Sequence, residues 1–155
     1  MNKVEISAEE TPLPSWRGSA RKYCLEVLER LNLSNWELSI LFCNNQFIQQ
    51  LNYKYKGIDA PTDVLSFCFN EETSFPTAEA GAKAVIAGDL VISLEMVKDN
   101  AQEYGVNEDE EIRRLLIHGI LHLAGENHLT NTETEPMLKY QEDLLKELSP
   151  WKTTV

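Results

Sequence analysis

Apolar positions along the chain switch between a period of two and a period near 3.6. Val4 and Ile6 alternate with polar neighbours as a short strand. TPLP breaks that pattern, and Trp16, Ala20, Tyr23, Cys24, Val27, Leu28 and Leu31 then recur at helical spacing. Trp36, Leu38, Ile40 and Phe42 share one side of a second strand, and Asn44 precedes Phe47, Ile48, Leu51 and Tyr55, spaced as a short helix. KGIDAPTD, with Gly57, Asp59 and Pro61, predicts an irregular loop that feeds the aromatic, β-branched strand VLSFCF. Residues 71–83 are polar and predict a hairpin or variable loop. AVIAGDLVIS follows, too continuously apolar for a solvent-facing edge.

The last third reads as helical. Leu94, Val97, Ala101 and Tyr104 mark a helix ended by Gly105, and Asn107 followed by Glu110 resembles an N-cap with its N3 acid. In the next helix Ile112, Leu115, Leu116, Gly119, Ile120 and Leu123 form one face, and Ile117 and Leu121 lie opposite, which predicts a central, buried helix. Gly125 is placed to stop it. A final helix is expected from near Thr132 to Pro136 onward, carrying Met137, Tyr140, Leu144, Leu145 and Leu148.

A length of 155 residues predicts one core and a single domain over 1–155. With 43% hydrophobic and 25% charged residues, disordered, collagenous and coiled-coil chains are excluded. The formal charge of −11 sets the surface as a whole against nucleic acid and anionic membrane. No apolar run approaches the ~20 residues of a membrane span. MNKVEISAEETPLP lacks the apolar stretch of a signal peptide, so a cytoplasmic location is expected. Cys24, Cys43 and Cys68 show no CxxC spacing and are expected to be reduced, buried thiols.

Every histidine of the chain falls within His118-Gly-Ile-Leu-His122-Leu-Ala-Gly125-Glu-Asn-His128. A helix advances about 100° per residue, so His118 and His122 project from one strip and can share a cation; a break at Gly125 lets His128 swing back as a third nitrogen. A lone helical histidine is more often a satisfied core residue, but this clustered pattern favours a metal site. Three histidines with an open fourth position form a catalytic rather than a structural zinc site. Metzincin proteases share the spacing but place a glutamate general base after the first histidine, where this chain has Gly119, so peptide hydrolysis by that mechanism is not expected. Glu126 is acidic and close in sequence, but is expected to be solvated.

HGILHLAGENH, LNYKYKGIDAPTDVLSF (51–67) and AGDLVIS (87–93), in this order and spacing, resemble the YbeY family of metal-dependent endoribonucleases, or rRNA maturation factors. The resemblance implies an α+β fold: a four-stranded mixed sheet with helices packed on it, and a metal in a cleft beside the central helix. It implies one Zn2+ per chain on His118, His122 and His128. It also implies single-strand endonuclease activity on ribosomal RNA, notably at the 3′ end of 16S rRNA, and a part in ribosome quality control. The implied partners are single-stranded RNA and the ribosomal particle or a ribosome-associated protein, with no membrane.

The chain departs from the family pattern in two places. Glu126 and Asn127 replace an aromatic residue and an aspartate; Asn127 can still orient a ligand by hydrogen bonding but cannot supply the aspartate's charge, which alters metal affinity or the acidity of bound water. Lys56 replaces an arginine thought to contact the RNA backbone or stabilise the developing charge; it keeps the charge but not the bidentate fork.

Asp63 is expected to anchor its loop, Ser66 to sit on a strand, and Asp89 to hydrogen-bond a turn or neighbouring strand, with the cleft as its other possible outlook. Arg114 is expected to pair with acids among Glu108 to Glu111. The metal together with Lys54, Lys56 and Arg114 would make the cleft locally electropositive, with few phosphate contacts and a shallow salt dependence. The alternative readings are a metallohydrolase of another substrate class and a non-catalytic, zinc-containing ribosome-assembly factor.

Overall fold

The computed structural model describes residues 1–68, 85–125 and 136–148. Within them the chain forms β1 (Lys3–Ala8), α1 (Arg17–Arg30), β2 (Trp36–Cys43), α2 (Asn45–Lys56), β3 (Val64–Cys68), β4 (Val85–Ser93), α3 (Leu94–Tyr104), α4 (Glu108–Leu123) and α5 (Pro136–Glu147). The predicted loop at 71–83 and the approach to the last helix at Thr132 lie outside the described residues.

The strands form one mixed sheet in the order β1-β2-β4-β3. β1, β2 and β4 run parallel, and β3 pairs antiparallel with β4 as an edge strand, Ser66 opposite Leu90. The fold is therefore α+β, as expected. β4 lies between two neighbours and buries Leu90 and Ile92 on one face and Val91 on the other, which accounts for a sequence that, Asp89 apart, is apolar on both faces.

Strand alternation divides the core in two. Trp36, Leu38, Ile40 and Phe42 of β2, with Leu90 and Ile92 of β4, bury against α1, α4 and α5. On the other face Cys43, Leu65 and Val91 bury with Ile48 of α2. The helix carrying the histidines and the helix carrying Lys56 thus lie on opposite faces of the sheet.

Two glycines set how closely these layers approach. A Cβ on Gly119 would stand 2.5 Å from a Leu90 methyl, so α4 rests on β4 through a bare backbone. Gly88, at φ +140°, lies where a Cβ would meet the carbonyl oxygen of Phe67 at 1.9 Å, so β3 could not pair as it does beside any other residue.

α4 begins as its sequence predicts. Asn107 Oδ1 accepts from the Glu110 amide at 2.7 Å, and four acids, Glu108 to Glu111, occupy the first turn, where the helix dipole favours them. Gly125 ends it, its N–H donating to the His122 carbonyl at 3.0 Å. Cys24 and Cys43 are buried as expected, but Cys68 is only half-buried because it sits on the edge strand. No helix among the described residues is long and apolar enough to cross a membrane.

Candidate metal centre

Most of α4 is buried, but Arg114, His118 and His122, four residues apart, form one half-buried strip along it. The helical spacing puts the two imidazoles on the same side one turn apart. Their rings meet edge to face, centroids 4.5 Å apart, and the two Nε2 atoms are separated by 3.0 Å. His118 turns its other nitrogen, Nδ1, toward Gln141 Oε1 of α5 at 2.6 Å. His128 lies outside the described residues, among which no group of three metal-ligating side chains assembles.

His118 lines a groove of about 800 Å³ between α4, α5 and the start of β3. A chain of side-chain hydrogen bonds runs along its wall. Asn100 donates to Asp63 Oδ2 at 3.1 Å and to Glu111 Oε2 at 3.2 Å. Arg114 donates to Glu111, to Glu110 and, through Nε and Nη2, to both oxygens of Glu142 at 2.9 and 3.1 Å. Glu142 in turn accepts from Gln141 Nε2 at 3.1 Å.

This network sets the local ionisation. Burial pushes the Glu111 carboxyl up, against the opposing pull of its bonds from Asn100 and Arg114. Burial also pushes Glu142 up, but there the hydrogen bonds from Arg114 and Gln141 prevail and hold it below its ordinary range. Burial alone would lower Arg114; its carboxylate partners, Glu142 first, raise it instead. Arg114 therefore does not supply free positive charge to the groove. The expected pairing with Glu110 and Glu111 is found, joined by Glu142 from α5, which helical spacing within α4 does not reveal.

The other sequence-singled residues divide clearly. Asp63 is an anchor: its carbonyl accepts from the Ser93 amide at 3.1 Å, and its carboxylate accepts from the Val64 amide and Asn100. Asp89 is in register with Ser39 and bonded to it, on the sheet face away from Leu90 and α4, so it does not look toward the histidines. Burial raises its pKa, with the Ser39 bond opposing. Lys56 is exposed in the last turn of α2 and does not line the groove. Its neighbours are other exposed groups, Tyr53 and Tyr55, with Lys54 Nζ 5.2 Å from the Tyr55 ring centre. Among the described residues, Lys54 and Lys56 form no ion pair.

The model of the family described as endoribonuclease YbeY matches residues 3–149. The chain belongs to the YbeY family. A protein of Treponema pallidum named endoribonuclease YbeY is 44% identical over 145 residues, covering 94% of this chain and 89% of its own. The Treponema denticola protein of the same name is 46% identical over 146 residues, covering 93% and 92%. A Thermotoga maritima protein solved in solution superposes with a TM-score of 0.62 at 23% identity, over 93% of this chain and 87% of its own, which shows the shared fold.

Besides Glu142, the residue of this site that sequence reading missed is Gln141. It is a buried polar residue on the apolar stripe of α5 with Met137, Leu144 and Leu145. A glutamine at a core position of a helical pattern was the signal available for it.

Proposed function

We propose that this chain is a zinc-dependent endoribonuclease that cuts single-stranded RNA, acting in ribosomal RNA processing at the 3′ end of 16S rRNA and in ribosome quality control. The observation that supports it most is the convergence of His118 and His122 Nε2 beside an open groove, in a member of the YbeY family. Two imidazole nitrogens on one tetrahedral zinc, each at ~2.0–2.1 Å, stand about 3.3 Å apart. The observed 3.0 Å is within a few tenths of that. The donor chemistry therefore fits zinc, with His128 as the proposed third ligand.

A zinc ion held there supplies Lewis acidity for phosphodiester hydrolysis. The chain's own residues do the remaining work. Gln141 orients His118, and the strip on α4 keeps both imidazoles aimed at one point. The groove is within the ~300–1,000 Å³ range of small-ligand sites, enough for a nucleotide. Lys56, on the far side of the edge strand, contacts RNA phosphates as the strand leaves the groove. With Arg114 neutralised by carboxylates, the other lysines and arginines lining the groove are Lys139 and Lys146 of α5, so on a chain of net charge −11 the phosphate contacts stay few. A ribosomal particle or a protein on it then supplies target choice, and binding to naked RNA has a shallow salt slope.

Peptide hydrolysis is disfavoured because position 119 faces Leu90, not the histidine strip. The reading is tested by incubating the purified protein with a labelled single-stranded RNA, its duplex and the DNA of the same sequence. Internal cleavage confined to the single-stranded RNA is expected; equal cutting of the DNA, or turnover of a peptide in its place, would overturn it.

A further inference from the structure

Gln141 is 6% exposed, and each end of its carboxamide has one partner: Oε1 is 2.6 Å from His118 Nδ1, and Nε2 is 3.1 Å from Glu142 Oε2. An ionised carboxylate only accepts hydrogen bonds. Arg114 grips both Glu142 oxygens, at 2.9 and 3.1 Å, in a bidentate pair that keeps that carboxylate an acceptor. The amide NH2 of Gln141 must therefore face Glu142, and its carbonyl must face His118. A carbonyl cannot donate, so the proton of that bond sits on His118 Nδ1. In a neutral imidazole the lone pair is then on Nε2, the nitrogen that faces His122 at 3.0 Å.

We propose that Gln141 is a positioning residue that fixes His118 in its Nδ1–H tautomer with Nε2 as the metal-binding nitrogen, and that Glu142 and Arg114 hold the Gln141 amide in the orientation this requires. The inference rests on the reading of His118 and His122 as metal ligands for its consequence, but not for the tautomer itself. Its physical logic is a relay of obligate acceptors and donors. Arg114 can only donate, Glu142 only accepts, and this fixes which end of an otherwise symmetric-looking amide meets the imidazole. A neutral amide in this place orients the ligand without adding negative charge to the site. The carboxylate of the relay stands one residue further away, where Arg114 offsets it. Outer partners of this kind typically change metal affinity by about 10–100-fold when removed.

The test has two independent readouts. Long-range 15N correlation NMR on the metal-free wild-type protein reports the tautomer of His118 directly. The expected pattern is a protonated Nδ1 and an unprotonated Nε2; an Nε2–H tautomer overturns the inference with no variant needed. Zinc competition with a chromophoric chelator then compares Gln141→Leu, Gln141→Glu and Glu142→Ala, with melting curves confirming that each is folded. Gln141→Leu is expected to bind zinc about 10–100-fold more weakly and to mix tautomers. Gln141→Glu retains an acceptor at Nδ1 but sets a second carboxylate against Glu142, so it is expected to keep the Nδ1–H tautomer while losing the bond to Glu142, and Glu142→Ala, which frees the amide to turn, is expected to fall between wild type and Gln141→Leu in zinc affinity. A folded Gln141→Leu with unchanged zinc affinity and an unchanged tautomer would overturn the proposal. A wild-type protein that binds no zinc while showing the Nδ1–H tautomer would instead sink the metal reading and leave the relay standing.

Discussion

Gly119 of α4 faces Leu90 of β4 so closely that a methyl group in place of its hydrogen would come within 2.5 Å of a Leu90 methyl and 2.8 Å of the other. This contact decides a functional question. The position after the first histidine is where metzincins keep a general base, and here it points into the sheet. Alanine in a helix gains about 1 kcal/mol over glycine. Overpacking a closed core typically costs about 1–3 kcal/mol, so Gly119→Ala is expected to be net destabilising. Gly119→Glu is expected to unfold the protein rather than create a peptidase. Gly88→Ala should cost about 3 kcal/mol or more, because its clash is with backbone and its φ is left-handed. Urea denaturation of the two alanine variants checks the ranking; a Gly119→Ala protein more stable than wild type would contradict it.

The Arg114–Glu142 pair predicts a pH dependence whose sign follows from the direction of the shift. Glu142 is held low in the folded state, so its contribution is present above the ordinary carboxylate range and is lost as pH falls through the folded value. Glu111 is raised by burial and acts oppositely, favouring the folded state as pH falls. Glu142→Gln should therefore be less stable than wild type at pH 7, on the order of 1 kcal/mol because the pair is partly exposed and screened. That gap should shrink as pH is lowered toward 2. Denaturation curves across this range check it, and a gap independent of pH would refute the assignment.

The strand pattern, the buried α4 with its Asn107 cap and Gly125 stop, and the histidine strip were all legible in the sequence, because each rests on local periodicity or on residues one turn apart. The interior place of β4 was legible too, from an apolar run interrupted only by Gly88 and Asp89. What was not legible depends on which helices meet. Glu142 and Gln141 belong to α5, and nothing local to α4 says that they complete the environment of Arg114 and His118. Asp89 left the cleft for the same reason, since only the Gly119–Leu90 contact tells which face of β4 looks toward α4. That Lys56 does not line the groove likewise follows from the sheet face that α2 covers.

Thiol chemistry should separate the cysteines. Burial pushes the Cys24 thiol up, and Cys43 is pushed up to about 12, mainly by burial. Cys68 is half-buried on the edge strand. Ellman's reagent on the native protein should modify Cys68 first, with Cys24 and Cys43 reacting only on unfolding. Rapid native reaction of all three would show that the core is looser than this packing.

Lys56 is exposed, so replacing it should leave stability within about 0.5 kcal/mol. If it contacts an RNA phosphate, Lys56→Ala should lower kcat/KM on single-stranded RNA about tenfold, and Lys56→Arg should match or exceed wild type because a guanidinium grips phosphate bidentately. Steady-state kinetics of the three proteins decide this; a Lys56→Ala enzyme with wild-type kcat/KM would remove the residue from the site.

The central claim, that the paired histidines hold a zinc ion on which RNA cleavage depends, is tested most directly by measuring zinc content and single-stranded RNA cleavage together in wild type and in an identically purified His122→Ala variant. The expected result is one zinc per chain and internal cleavage in the wild type, with both lost in the variant. A folded His122→Ala protein that still cleaves at the wild-type rate would contradict the claim and assign the activity elsewhere.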